Sequence, residues 1–129
     1  SFDRVHYALA AASSAAAANI AVTLFFTMGA IRALTNDDDG EPRWGELMHS
    51  ESTDDGVSCD SIHKTSGVAG FEELLEACVA LKVKFLVCEM GLRAAGFSVD
   101  TLRDDVPVEQ GGLVTFLADA DANGSMLFI

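Results

Sequence analysis

Val83-Lys84-Phe85-Leu86-Val87-Cys88 runs straight into Glu89-Met90-Gly91-Leu92-Arg93-Ala94-Ala95-Gly96. The first stretch is a short apolar run, the pattern of a buried strand. The second takes up helical spacing and closes on a glycine. Cys88 therefore falls where a strand ends and a helix begins. In open α/β sheets, ligands gather outside the carboxyl ends of strands. A helix start also favours a thiolate over a thiol. The position suits a nucleophilic cysteine or a sulfur carrier. A small buried hydrophobe at a strand end fits the same spacing.

Upstream of this unit, Val68 to Leu81 has the periodicity of an amphipathic helix, with Phe71, Leu74, Leu75, Cys78 and Leu81 on one stripe. Cys78 on that stripe reads as core. Further upstream, Asp3 is placed to cap a helix from about Arg4 to Ala18, rich in small residues. Ile20-Ala21-Val22-Thr23-Leu24-Phe25-Phe26 is a near-continuous apolar run, as in a strand covered on both faces. Met28 to Leu34 then makes a short helix. From Thr35 to Gly67 the pattern dissolves into Asp, Gly, Ser, Thr and His, which predicts a long acidic loop anchored by Pro42 and Trp44.

Downstream, a short strand or turn is expected around Val106-Pro107-Val108, and a helix from Gly112 to Ala120 ended by Asn123-Gly124. Ser125 to Ile129 reads as a terminal strand. Helices alternating with buried strands imply parallel strands joined by crossovers, a three-layered α/β fold. A helix opens the chain where such sheets normally begin with a strand. Either an opening strand is missing, or the sheet is completed another way.

Composition narrows the function classes. The chain has 129 residues, enough for one domain with a real core. Half its residues are hydrophobic, and the mean hydropathy is +0.27. Such an excess of apolar residues points to a membrane or a subunit interface. No charged side chain lies between Arg4 and Arg32, a gap long enough to span a bilayer. Ala8 to Ala18, however, is mostly alanine and serine, a composition that forms helices but inserts weakly into membranes. Two soluble elements fit the gap better. With 20 acidic residues against 8 basic, the net charge is −12. Nucleic-acid phosphates and anionic membrane surfaces are therefore not expected partners. Three cysteines at irregular spacing make no disulfide framework, so free thiols in the cytoplasm are expected.

Chain topology adds candidates to Cys88. The first helix should begin at the sheet edge where Cys88 sits, bringing Arg4 and His6 toward it as partners for an anion or a thiolate. Cys59-Asp60-Ser61-Ile62-His63, with His49, offers ligands to zinc, but its spacing matches no closed structural site. Thr35-Asn36-Asp37-Asp38-Asp39-Gly40, with Glu46 further on, and Asp119 to Gly124 mimic parts of calcium loops, and helix-ending turns explain both more simply. There is no glycine-rich phosphate loop, catalytic triad spacing or HExxH motif.

These residues carry a resemblance. Asp3-Arg4-Val5-His6-Tyr7-Ala8-Leu9-Ala10-Ala11-Ala12, Val22 to Phe26 with Gly29, and Phe71 to Cys78 resemble the DsrE/DsrF-like family of small sulfur-relay proteins. Val83 to Leu92, Gly111 to Leu117 and Leu127-Phe128-Ile129 continue the likeness, and the strand-Cys-Glu-Met stretch is its most specific part. The resemblance implies a flavodoxin-like sandwich with a mostly parallel sheet of about five strands. It implies a cytoplasmic protein that assembles into trimers or hexamers, needs no cofactor, and exchanges sulfur with donor and acceptor proteins. By motif match the persulfide-carrying cysteine is Cys88, and Met90 joins Arg4 and His6 as expected substrate-binding residues. The alternative is an oligomeric binding or scaffold module of the same fold, with Cys88 merely packed.

Overall fold

The computed structural model describes every residue except 122, 127 and 128. At its centre is β2 (Lys84–Cys88), in which Phe85, Leu86, Val87 and Cys88 are all buried. A strand covered on both faces must sit between neighbours. It pairs in parallel with β1 (Thr23–Phe26) on one side and with β3 (Val108–Gly111) on the other. The register sets Phe26 opposite Val87 and Cys88 opposite Gly111. Among the described residues the sheet has three strands in the order β1-β2-β3, rather than about five.

The two outer strands differ from their expected bounds for physical reasons. Ile20 does not extend β1, because its N–H donates to Ala15 O in the turn that ends the first helix, with Asn19 at a left-handed φ of 62°. The strand expected around Pro107 begins only at Val108, since proline has no N–H to give a ladder. Leu127 and Phe128 of the expected terminal strand lie outside the described residues, and Ser125, Met126 and Ile129 beside them are in no strand.

Side-chain alternation divides the sheet. One face carries Phe26, Phe85 and Val87 into the core with α1 (Phe2–Ala17) and α3 (Phe71–Ala80). On α1 the residues Phe2, Val5, His6, Leu9 and Ala12 are buried at helical spacing. Its alanines let the two helices close up until Cys78 Sγ lies 3.3 Å from Leu9 O, its hydrogen-bond acceptor. On the opposite side α5 (Leu113–Ala118) stacks Phe116 on Phe25, with ring centroids 4.9 Å apart. Helices thus lie on both sides of a parallel sheet.

The helix after β2, α4 (Glu89–Ala95), ends at Gly96 in the left-handed conformation, φ 70°. It packs on the 3-10 helix Met28–Leu34. A Cβ on Gly91 would strike Ile31 Cδ1 and stand 2.9 Å from Met28 N. Gly91→Ala is therefore expected to cost about 1–3 kcal/mol, because a backbone atom must give way. A shift of the urea midpoint at unchanged slope measures it.

Two expectations need correction. Asp3 does not cap α1, which starts one residue earlier, at Phe2. Asp3 instead accepts hydrogen bonds from the Ser50 N–H and hydroxyl. Burial alone would raise its carboxyl, but the Ser50 hydrogen bonds outweigh that and hold it well below the usual carboxylate range.

The stretch Thr35 to Gly67 is not an open loop either. It holds a 3-10 helix, Arg43–Glu46, and α2 (Gly56–Thr65), whose N-cap Asp55 accepts from Ser58 N at 2.8 Å. The structure docks α2 through polar atoms. Asp60 is buried, accepts the Phe71 N–H at 2.7 Å and pairs with Lys64 at 2.7 Å. Asp60 thereby caps α3, whose own N-cap residue, Gly70, has no side chain to do it. Asp60→Ala is expected to cost about 1–2 kcal/mol in chemical denaturation. Among the described residues no helix is long and apolar enough to cross a membrane.

Candidate functional site

Three parallel strands end at one edge, so the residues that follow them converge there. Cys88 is the last residue of β2 and the N-cap of α4. It is only 4% exposed. Met28 follows β1 at a positive φ of 49°, a conformation that costs a non-glycine residue free energy. Its backbone N and the Cys88 Cβ both approach the position a Gly91 Cβ would take, at 2.9 and 3.5 Å. Met28 and Met90 are exposed, as is Leu113 just after the end of β3. An exposed apolar side chain thus follows the end of each of the three strands, and the thiol at the end of β2 is buried.

The other two cysteines are poor nucleophiles. Burial pushes the Cys78 thiol up to about 11. Burial raises Cys59 too, reinforced by the carboxylates of Asp54, Asp3 and Asp55. All three cysteines are free.

The helices place Arg4 and His6 at the right end of the molecule, but in different surroundings. Both α1 and α3 lead into strands from their C-terminal ends, so both begin near the edge where Cys88 lies. Arg4 is exposed there and makes no ion pair among the described residues. His6 is buried instead: Nε2 bonds to Ala69 O at 2.8 Å, and its ring sits 4.4 Å from that of His63. No hydrogen bond among the described residues joins Arg4, His6 or Met90 to Cys88. The segment offering His49, Cys59 and His63 spreads them over a loop and α2. Among the described residues no group of three or more His, Cys, Asp or Glu is placed to hold a metal ion.

The structure also brings together a group that spacing did not reveal. Arg103, 5% exposed, gives Nη1 and Nη2 to Glu72 at 2.6 and 2.9 Å, and Nε and Nη2 to Asp105 at 2.9 and 2.7 Å. Trp44 Nε1 donates to the same Glu72 at 2.7 Å. The hydrogen bonds of Asp105, and then those of Glu72, hold the guanidinium above its ordinary value against the effect of burial. A cavity of about 290 Å³ lies beside this group, lined by Glu72, Leu75, Glu76, Val79, Arg103 and Asp105 among others, and Cys88 does not line it. With its donors already committed, Arg103 holds segments together and is not free to bind an anion. Asp105 is a near neighbour in sequence, but Glu72 and Trp44 come from distant segments, so no local motif signals the group.

No curated protein matches the chain. Against models of protein families, residues 4–123 match the DsrE/DsrF-like family, a span that takes in β2 and Cys88, and the chain belongs to that family.

Proposed function

We propose that this protein relays sulfur, holding it as a persulfide on Cys88. Membership of the DsrE/DsrF-like family supports a sulfur-relay role in general. The observation that carries the finer reading is Cys88 itself, at the carboxyl end of the central parallel strand. The Cys88 thiolate attacks the terminal sulfur of a polysulfide, a protein persulfide or thiosulfate. A new S–S bond forms as the old one breaks, and the donor leaves as a polysulfide one sulfur shorter, as a thiolate or as sulfite, respectively. An acceptor thiolate then takes that outer sulfur and returns Cys88 to the thiolate. Sulfur is moved with no net change in electrons.

Arg4, exposed and unpaired among the described residues, is assigned to draw in an anionic donor. His6 supports that end of α1 through Ala69 O rather than meeting the substrate. Met90 borders the approach to the thiol. Because Cys88 is buried, transfer requires the junction of β2 and α4 to open. A reducing compartment, which we take to be the cytoplasm, keeps such a thiol available.

Self-association is part of the same reading. On α5, Val114 is 81% exposed, and Leu113 and Leu117 flank it without a neighbour to cover them. In a chain of net charge −12, this uncharged face is where copies can meet with least repulsion. Trimers or hexamers are expected. Val114→Glu should reduce the mass found by light scattering to that of the monomer.

The burial of Cys88 favours one other reading, a scaffold module in which the thiol only packs. Alkylation separates the two. A sulfur carrier should react with iodoacetamide at neutral pH faster than Cys59 and Cys78 in the same chain, scored by peptide mass. Equal or slower labelling favours the scaffold.

A further inference from the structure

Among the contacts that hold α2 to the rest of the chain, one is chemically unusual. The His63 ring of α2 lies 4.4 Å from His6 and 5.7 Å from Phe2, both on α1. His63 Nδ1 is shut away from solvent with no hydrogen-bond partner. A neutral imidazole tolerates this, since the bare nitrogen only forgoes an acceptor bond. A protonated ring would carry an N–H there with nothing to accept it, facing a second histidine. We propose that the His6–His63 contact is a pH-operated latch, and that protonation of His63 in mildly acidic solution releases α2 from α1.

The surrounding charges relieve the protonated state only in part. On α2 itself Asp60 attracts a His63 cation, but its Oδ1 is taken by the Phe71 N–H and its Oδ2 by Lys64. His49, in the loop before α2, adds repulsion. On α1, Asp3 is engaged by Ser50. At the start of α3, Glu72 is spent on Trp44 and Arg103, while Glu73 lies one residue further on. Burial is the largest influence, followed by His6, and together they lower the His63 titration below its ordinary 6.5. The undocked segment therefore takes up a proton more readily than the docked one. Docking strength is complete above about pH 6.5 and declines as pH falls below it. Asp3, Asp55 and Asp105 are shifted down from 3.8, so their contributions are lost only as pH falls below about 3.8. Between these limits His63 governs α2. What the latch exposes is the end of α1 around Phe2, together with Cys59, which α2 itself buries. Its operation is independent of any chemistry at Cys88.

The test is amide hydrogen exchange of the full chain at pH 7.5 and 5.5, read by mass spectrometry and normalised to the intrinsic rate at each pH. Peptides covering Gly56–Thr65 should lose protection several-fold at pH 5.5, up to a ceiling of roughly tenfold for a group whose ordinary value is 6.5, while α3 and β2 keep theirs. His63→Phe retains an aromatic ring in the contact and should remove the pH dependence. Unchanged protection of α2, the same loss in His63→Phe, or a loss shared by the whole chain each overturns the latch. If His63→Phe does not fold, titration of the wild-type histidines by NMR decides: a His63 midpoint below 6.5 supports the latch, and one at or above 6.5 overturns it.

Discussion

Cys88→Ser is expected to cut sulfur loading from polysulfide or thiosulfate by roughly 10³-fold or more, because the hydroxyl left behind cannot form a persulfide. The substitution is nearly isosteric and the site is buried at a strand end, so the fold should survive it. The measurement is intact mass after incubation with the donor. The wild-type chain should gain the mass of one sulfur atom, removable by a thiol reductant, and Cys88→Ser should gain nothing. Cys59→Ser and Cys78→Ser should load as the wild type does, since both thiols are raised by burial and lie on helices rather than at a strand end. An adduct that persists in Cys88→Ser, mapped to another cysteine, would reassign the carrier. An adduct on none of the three would leave the scaffold reading.

The largest expected loss of stability comes from Arg103→Ala. The guanidinium is almost completely enclosed and makes four side-chain hydrogen bonds to two carboxylates. Removing one partner of a buried ion pair typically costs 3–5 kcal/mol. Glu72 and Asp105 still reach solvent, with side chains 35% and 60% exposed, which lets them rehydrate once the cation is gone. A loss of about 2–3 kcal/mol follows. Urea unfolding measures it. Arg103→Lys keeps the charge but not the planar fork that serves two carboxylates at once, and should fall between wild type and Arg103→Ala. If both variants unfold within about 0.5 kcal/mol of wild type, the network contributes little and burial of the arginine stem explains its position.

How far the sequence could be read follows from what holds each element in place. The strand β2 was legible because a run of apolar residues between a helical stripe and a glycine-closed helix admits few alternatives. Its end at Cys88 was legible for the same reason. The helix α3 announced itself through Phe71, Leu75 and Cys78. By contrast α2 was hidden. It buries only Gly56, Cys59 and Asp60, and it docks through a carboxylate and an imidazole rather than an apolar stripe. Hydrophobic periodicity is blind to such an attachment. The N-cap signal at Asp55 was present in the sequence, three residues before the Ser58 N–H it accepts, and would have been the clue. The edges of the site were harder. That Arg4 and His6 lie at the same end of the fold follows from topology. That His6 turns into a cage with Phe2 and His63 depends on α2, a helix that carries no apolar stripe to announce it.

The hydrogen bond from Phe71 N–H to Asp60 also bears on how this chain can be shortened. A tempting engineering step is to excise the acidic stretch from Thr35 to Gly67 and splice the 3-10 helix before it directly to α3. That deletion would strip α3 of its side-chain cap from Asp60 and of the Trp44 bond to Glu72 in one cut. A minimal version of the domain must therefore carry its own acceptor. Serine or aspartate at position 70 would supply one, and the Lys64 side chain that now crowds Gly70 would no longer be there to forbid it.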